Sequence, residues 1–546
     1  MNMKKSNLVV FSVLNIVILL LGFGCAVQKQ VEKPVIKGKR ITAPQKLMVP
    51  PLAFDDSSIT VIWSKPEDYS NVVSYNVYIE GSLAGNTKNL SYTAADLNAG
   101  TPYSFTVTAV DASGQESKPS NKIIQPTAPE MKVFDVTKYG AVGDGNTLNT
   151  KAIQKAIDEC STGGKVLIPS GTFVSGALFL KSDMTLQIDG TLRGSDNAED
   201  YPKSTIRFSY YQSGNDYSGL INAYTDKYFS ISNVRICGKG IVNGGSDVVG
   251  SITGHNNTKL GEAEATAKDS EDSDRGDMIT VKGVDGLYLA GVTLVNPAMH
   301  TIFISFCKNV TIEGIVVDTY DIHNADAIDL ATTDTAYIFN CTLDAGDDCV
   351  NFNAGVGEPG VNENYPDTNI RVFNCVAKRG HGGVVFGSFT AAWIQNVLVE
   401  DCLFDGTDRG IRFKTGKNQG GGARNVICRD ITIKNILKEA IFFDSSYGCS
   451  YPSGGEGQFK DITVKNVTCT NTKNYGIYIN GLPDTPHTNI TLSDITIDGA
   501  GKGGAFIKYC KNCTFENVQF KNVKSAWKIE PNSTSDLNFK NCTPMP

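Results

Sequence analysis

Gly346-Asp347-Asp348-Cys349 sets two carboxylates side by side, and a third, Asp326 of Asn324-Ala325-Asp326, stands just upstream. Like charges this close raise one another's pKa, so holding them together is costly unless chemistry uses them. The chemistry they suit is cleavage of a glycosidic bond, which needs one protonated and one ionised carboxyl group. Downstream come Arg379-Gly-His-Gly-Gly383 and Arg409-Gly-Ile-Arg-Phe-Lys414, with 34 residues from Asp347 to His381 and 31 from His381 to Arg412. Arg412 and Lys414 lie two apart on a strand-like run and so point the same way. A forked guanidinium and an ammonium beside aspartates fit a sugar that itself carries carboxylates.

The elements that must position these side chains form an internal repeat. Units begin at Asp285, Asn309, Thr335, Asn369, Asn396, Asn425, Asp461, Asn489, Asn512 and Asp536, in steps of 24, 26, 34, 27, 29, 36, 28, 23 and 24 residues. Each is a polar residue, an alternating strand, a bend and a second short strand. No unit buries its apolar side alone, but stacked units do, which predicts a right-handed parallel β-helix with a Val/Ile/Leu/Cys core. Asn309, Asn369, Asn396, Asn425, Asn489 and Asn512 should stack at one turn, and Cys341, Cys375 and Cys402 at another. Equivalent positions of successive coils lie about 4.8 Å apart. Asp326, Asp347, Asp348, His381, Arg412 and Lys414 then fall on one wall. The unit lacks a leucine-rich signature and a Trp-Asp dipeptide, which disfavours a horseshoe or a propeller.

Ahead of the repeat, Ala152, Ile153, Ala156, Ile157 and Cys160 share one helical face, as a cap over the first coil requires. Residues 44–127 read differently. Ile59-Thr-Val-Ile-Trp63, Ser74-Tyr-Asn-Val-Tyr-Ile79 and Tyr103-Ser-Phe-Thr-Val-Thr-Ala-Val110 alternate polar and apolar residues. With Trp63, Tyr75, Leu97 and Tyr103 they resemble a fibronectin type III sandwich, Leu97 to Tyr103 being its tyrosine-corner segment. Such a domain is a spacer, or it packs on its neighbour and helps to shape the site. Pro126-Thr-Ala-Pro129 marks the boundary, so residues 128–546 form the β-helix domain.

Residues 1–25 read as an export signal: Lys4 and Lys5, an apolar run from Leu8 to Gly24, then Cys25. Lipidation of Cys25, ordinary cleavage nearby and an uncleaved anchor all stay open. Each places the body outside the cytoplasm, whether secreted, periplasmic or lipid-anchored to the outer face of a membrane. Residues 26–43 suit a linker. The net charge of −7 argues against nucleic acid as a partner. An anionic polymer would need the local basic cluster that Arg412 and Lys414 supply. Of 14 cysteines, 13 remain without Cys25, an odd number that does not suggest a disulfide framework. Cys510-Lys-Asn-Cys513 reads as a local disulfide or two buried thiols rather than zinc. The polar stretch 244–277 breaks the repeat and reads as a surface loop or as a wall closing one end of a groove.

Asn-Ala-Asp, Gly-Asp-Asp, Gly-His-Gly and Arg-Phe-Lys, in this order and spacing, resemble the four motifs of glycoside hydrolase family 28, the polygalacturonases. That family usually has Asn-Thr-Asp and Arg-Ile-Lys, so Ala325 and Phe413 depart at middle positions. The stretches Tyr288 to His300, Gly346 to Gly355, Gly387-Ser-Phe-Thr-Ala-Ala-Trp393 and Gly420 to Val426 look like its bacterial exo-poly-α-galacturonosidase branch. The resemblance implies hydrolysis of polygalacturonate with inversion, from the non-reducing end, releasing digalacturonate. It implies Asp347 as general acid with a raised pKa and Asp326 and Asp348 on the water. The inverting class separates acid and base by about 6.5–9.5 Å. His381 would set the protonation of the acid, and Arg412 and Lys414 would clamp a galacturonate carboxylate. Tyr447 and His300 are candidates for sugar contact, Trp393 for the pocket wall, and His323 for orienting the catalytic loop. No metal or cofactor is implied, and a monomer is expected. Endo-polygalacturonase and rhamnogalacturonan hydrolase are rival activities. A calcium-dependent pectate lyase and a non-catalytic carbohydrate-binding protein are rivals of other classes.

Overall fold

The computed structural model describes residues 41–204, 217–245, 276–448 and 453–546. The export signal with Cys25, most of the linker and most of the 244–277 stretch lie outside the described residues. Among the described residues no helix is long and apolar enough to cross a membrane.

Residues Ile41–Pro546 form one compact unit. Its first part is a two-sheet sandwich. Gln45–Met48, Ile59–Ser64 and Ser91–Ala94 make one sheet. Ser82–Thr87, Val72–Ile79, Pro102–Asp111 and Ile123–Pro126 make the other. Trp63 is fully buried and meets Tyr75 edge to face, with ring centroids 5.5 Å apart. The tyrosine corner forms: Asn98 N–H donates to Tyr103 Oη over 3.0 Å.

From Val133 the chain winds into parallel coils, all-β apart from short helices. Two of its three ladders run together; the third is a separate ladder of twelve strands from Leu178–Phe179 to Trp527–Ile529. The α-helix Thr150–Glu159 buries Ile153, Ala156 and Ile157. The coils start earlier than the repeat did: Val133–Asp135, Gly164–Ile168, Met184–Ile188 and Ile231–Cys237 already pair in parallel. The Asn/Asp pattern starts earlier as well: Asp183 and Asn233 open their units in the left-handed conformation, and Asn233 Nδ2 donates to Asp183 Oδ1 over 2.7 Å.

That pattern has a backbone cause. Asn309, Thr335, Asn369, Asn396, Asn425, Asp461, Asn489, Asn512 and Asp536 all sit at φ between 52° and 63°. The left-handed region excludes most side chains but tolerates Asn and Asp. The side chains then bond along the stack. Asn396 donates to Asn369, Asn425 to Asn396 and Asn512 to Asn489, over 3.3, 2.6 and 2.8 Å. Cys341, Cys375 and Cys402 are free and buried, as are Cys510 and Cys513.

The sandwich is docked on the coils. Phe339 and Phe373, stacked with centroids 4.9 Å apart, join its apolar core. Lys65 Nζ reaches Asp401 and Asp430, each over 2.6 Å, and Arg371 Nη2 donates to the Trp63 carbonyl over 2.9 Å. These contacts lie on the first ladder, away from the sheet that carries the aspartates. Of the two readings of the sandwich, packing on its neighbour is what the structure has.

Candidate active site

The twelve-stranded ladder carries the candidate residues on successive coils. Ile328 aligns with Val350, so Asp326 falls one coil from Asp348. Asp348 in turn bridges to Gly382, and Val385 aligns with Arg412. Two glycines permit this stacking. A Cβ on Gly346 would collide with the Ile322 carbonyl of the coil before, and one on Gly380 with the Asp347 carbonyl. Without those side chains the loops press together: Gly346 N–H donates to Ala325 O over 3.0 Å and His381 N–H to Asp347 O over 2.8 Å.

Asp326, Asp347 and Asp348 converge, with an oxygen of each within 4.8 Å of the others. The single-coil spacing is what brings these nearest oxygens together. Their surroundings differ. Asp347 keeps 18% of its side chain exposed against 1% for Asp348. Arg412 Nη1 and Lys414 Nζ donate to the two oxygens of Asp348 over 3.0 and 2.9 Å. Both cations were expected to be free for a substrate carboxylate. Here they are held by Asp348, because the buried carboxylate needs paired donors and theirs are the ones its coil faces.

His381 Nδ1 lies 2.9 Å from Asp347 Oδ1. The raised pKa expected at Asp347 is not found. Burial opposes its ionisation, but His381, Lys414 and Arg412 outweigh burial and hold the carboxyl below its usual range. His381 is raised in return, chiefly by the Asp347 charge. The raised carboxyl is Asp326: burial, then the charges of Asp329, Asp347 and Asp348, push it well above the ordinary value.

Behind the trio lies a group that the sequence did not reveal. His300 Nδ1 sits 2.8 Å from Asp277 Oδ1, and oxygens of Asp326 and Asp329 approach the same imidazole within 4.8 Å. Asn351 Nδ2 donates to Asp329 Oδ1 over 3.0 Å. Burial pushes Asp329 up to about 7. His300 is itself buried and stacks on Phe303, so it supports the carboxylates from behind instead of lining an open wall. Asp329, three residues after Asp326, passed for ordinary strand alternation. Asp277 fell inside the stretch taken for a loop. Register is the signal that finds Asp329, since it shares a row with Asn351, Val385 and Arg412.

Tyr447 is partly exposed, its ring centroid 5.4 Å from Lys414 Nζ and 5.9 Å from Arg412 Cζ. It therefore stands at the mouth of the basic pair. Trp393 is elsewhere, held between Arg424 and Lys460 at 4.5 and 4.8 Å beside the first ladder. His323 is half-buried in the loop that leads into Asp326. Two groups of acids and histidine, His300–Asp326–Asp329 and Asp326–Asp347–Asp348, have the spacing to hold a cation. His381, Arg412 and Lys414 already face Asp347 and Asp348, and burial drives Asp326 and Asp329 toward the neutral form.

The profile of glycosyl hydrolases family 28 matches residues 160–526, and that of the fibronectin type III domain matches residues 42–125. The exo-poly-α-D-galacturonosidase of Dickeya chrysanthemi is 34% identical, over 92% of this chain and 95% of its own. The solved family 28 exopolygalacturonase of Yersinia enterocolitica superposes with a TM-score of 0.83 at 33% identity, covering 92% of this chain and 99% of that one. An exopolygalacturonase of Thermotoga maritima shares the fold, with a TM-score of 0.63 at 24% identity over 72% of this chain and 93% of its own.

Proposed function

The chain belongs to glycosyl hydrolases family 28, and from that footing we propose that it hydrolyses α-1,4-galacturonosidic bonds of polygalacturonate from the non-reducing end, releasing digalacturonate with inversion. The observation that carries the substrate is the basic pair Arg412 and Lys414 set against a three-carboxylate site, with Tyr447 at its mouth. The relatives named exo-enzymes, similar over nearly their whole length, support the exo mode.

Exposure divides the roles. The departing oxygen belongs to a polymer and needs an open approach, which Asp347 has; the attacking water is small and suits the buried Asp326 and Asp348. A water bonded to two oxygens at about 2.8 Å each fits between carboxylates this close. Asp347 and His381 share one proton in the resting site, with the imidazole holding it. A galacturonate carboxylate arriving at Arg412 and Lys414 changes this balance. Its charge draws the cations from Asp348 and raises the proton affinity of Asp347, which takes the proton from His381. The water oxygen then bonds to the anomeric carbon as the glycosidic C–O bond breaks. Asp347 gives its proton to the leaving oxygen, and Asp348, freed of its cations, accepts one from the water.

Proton NMR of the first product decides the stereochemistry, since only the opposite anomer fits the proposal. Chromatography against time decides the mode: early dimer alone supports exo attack, and a ladder of oligomers overturns it. Asp347→Asn should lower reducing-sugar release by about 10²–10⁴-fold, the usual worth of a general acid. An unsaturated, ultraviolet-absorbing product would make the enzyme a lyase instead. Pectin lies outside cells, so the substrate calls for export. We propose that residues 1–25 direct it, with lipidation of Cys25 read out by labelling with a palmitate analogue, and that the enzyme acts as a monomer, checked by light scattering.

A further inference from the structure

The outer face of the site sheet continues past Arg412. In register, Arg412 is followed coil by coil by Phe442, Tyr478, Phe506 and Lys528. Both neighbours of Tyr478 in its strand, Ile477 and Ile479, are buried, so Tyr478 lies on the outer face, and Phe506 by the same alternation. The rings stack: Phe442 on Tyr478 at 5.2 Å and 12°, Tyr478 on Phe506 at 5.0 Å and 16°. Cations close both ends, Arg409 at 4.2 Å over Phe442 and Lys528 at 5.1 Å over Phe506. A second row runs alongside, Lys414, Asp444, Asn480 and Lys508.

We propose that this strip, from Arg409 and Phe442 through Tyr478 and Phe506 to Lys508 and Lys528, is a secondary binding track for the part of the polygalacturonate chain that lies beyond the scissile bond. The inference rests on polygalacturonate being the substrate. The track is continuous with the basic pair at the catalytic centre. Four ladder steps carry it about 19 Å past Arg412, enough for more than one sugar unit. Its chemistry matches an anionic polymer: ring edges carry the positive part of the aromatic quadrupole, and ammonium groups flank them. The acids nearby are already engaged. Glu439 pairs with Arg409 over 3.0 Å, and Asp444 accepts from Asn480 over 2.9 Å. Lys528 pairs with Glu530 at 3.3 Å while remaining largely exposed, a contact loose enough to exchange for a uronate.

The test compares long polygalacturonate with trigalacturonate as substrates. Lys508→Glu/Lys528→Glu reverses charge while keeping all three rings, and Tyr478→Ala/Phe506→Ala removes two of them. Both double variants should raise KM for the polymer about tenfold, worth about one decade of affinity, and leave kcat/KM for trigalacturonate within about twofold. Added salt should erase the difference between the wild type and the charge variant. An unchanged polymer KM in the charge variant overturns the track. Equal losses on both substrates, with a lowered Tm, make the strip structural and also overturn it. If wild-type enzyme releases no product from either substrate, the substrate assignment fails, and the track with it.

Discussion

The carboxylate cluster has two halves built on opposite principles. Toward the later coils, Asp347 and Asp348 are neutralised by cations: His381 faces one, and Arg412 with Lys414 holds the other. Toward the earlier coils, Asp326 and Asp329 are governed by burial, which drives both toward the neutral form. The same side chain type is therefore held by cations on one coil and pushed toward its neutral form on the next, some 4.8 Å away. What lies behind each aspartate, not the aspartate itself, decides which form it favours.

Exchanging the acids for amides is the strongest way to break this contrast. Asp348→Asn and Asp326→Asn should each lower polygalacturonate turnover by at least about 10²-fold, but their stabilities should part. Asp348→Asn strips two buried cations of their partner and should cost about 3 kcal/mol or more in urea unfolding. Asp326→Asn replaces a group that burial already drives toward the neutral form, so its midpoint at neutral pH should match or exceed that of the wild type. Equal destabilisation by both would dissolve the distinction.

A smaller effect sharpens the charged half. The active form of Asp347 and His381 carries one proton between them, lost as pH rises through the raised pKa of His381. In His381→Asn that proton must reside on the carboxylate alone, so the alkaline limb of kcat/KM should move toward acid by more than one pH unit. A limb that stays in place would remove His381 from the proton path.

The smallest effect probes the buried half. Asp329 has its folded pKa raised to about 7, above the unfolded carboxyl value. Keeping it neutral therefore costs nothing below about pH 4, and burying it ionised costs progressively more as pH rises toward 7. Asp347 and His381 act together against this. Asp347 contributes stability above the unfolded carboxyl pKa, and His381 contributes below about 6.5, losing it as pH rises through its own raised value. Melting temperature should thus peak in mildly acidic solution and fall toward pH 8, and Asp329→Asn should flatten the alkaline fall. An unchanged slope would show that Asp329 carries no such proton.

Much of this was legible in the chain because a solenoid converts sequence distance into spatial distance. Asp326, Asp348, His381 and Arg412 could be placed on one wall from unit lengths alone, since each unit contributes one coil. The Asn ladder was visible because the left-handed turn admits few residue types. The directions of the pKa shifts were not legible. They depend on which carboxylate faces the cations and which faces apolar coils, and residue spacing does not encode that. Asp277 and Asp329 escaped notice for the same reason, being ordinary in spacing and unusual only in burial. The earliest coils escaped because their unit openings are far apart in sequence, 50 residues from Asp183 to Asn233 and 52 from Asn233 to Asp285 against 23–36 later, although their strands pair as regularly as the rest.

The twelve cysteines among the described residues are all free, and all but Cys237 are buried. In a chain destined for export this has a practical meaning. No oxidant or disulfide isomerase is required to reach the native state among these residues, and no covalent staple is lost when the medium is reducing. Among these residues, folding is thereby independent of whether the surroundings are oxidising or reducing. The melting temperature of the enzyme should be the same with and without dithiothreitol.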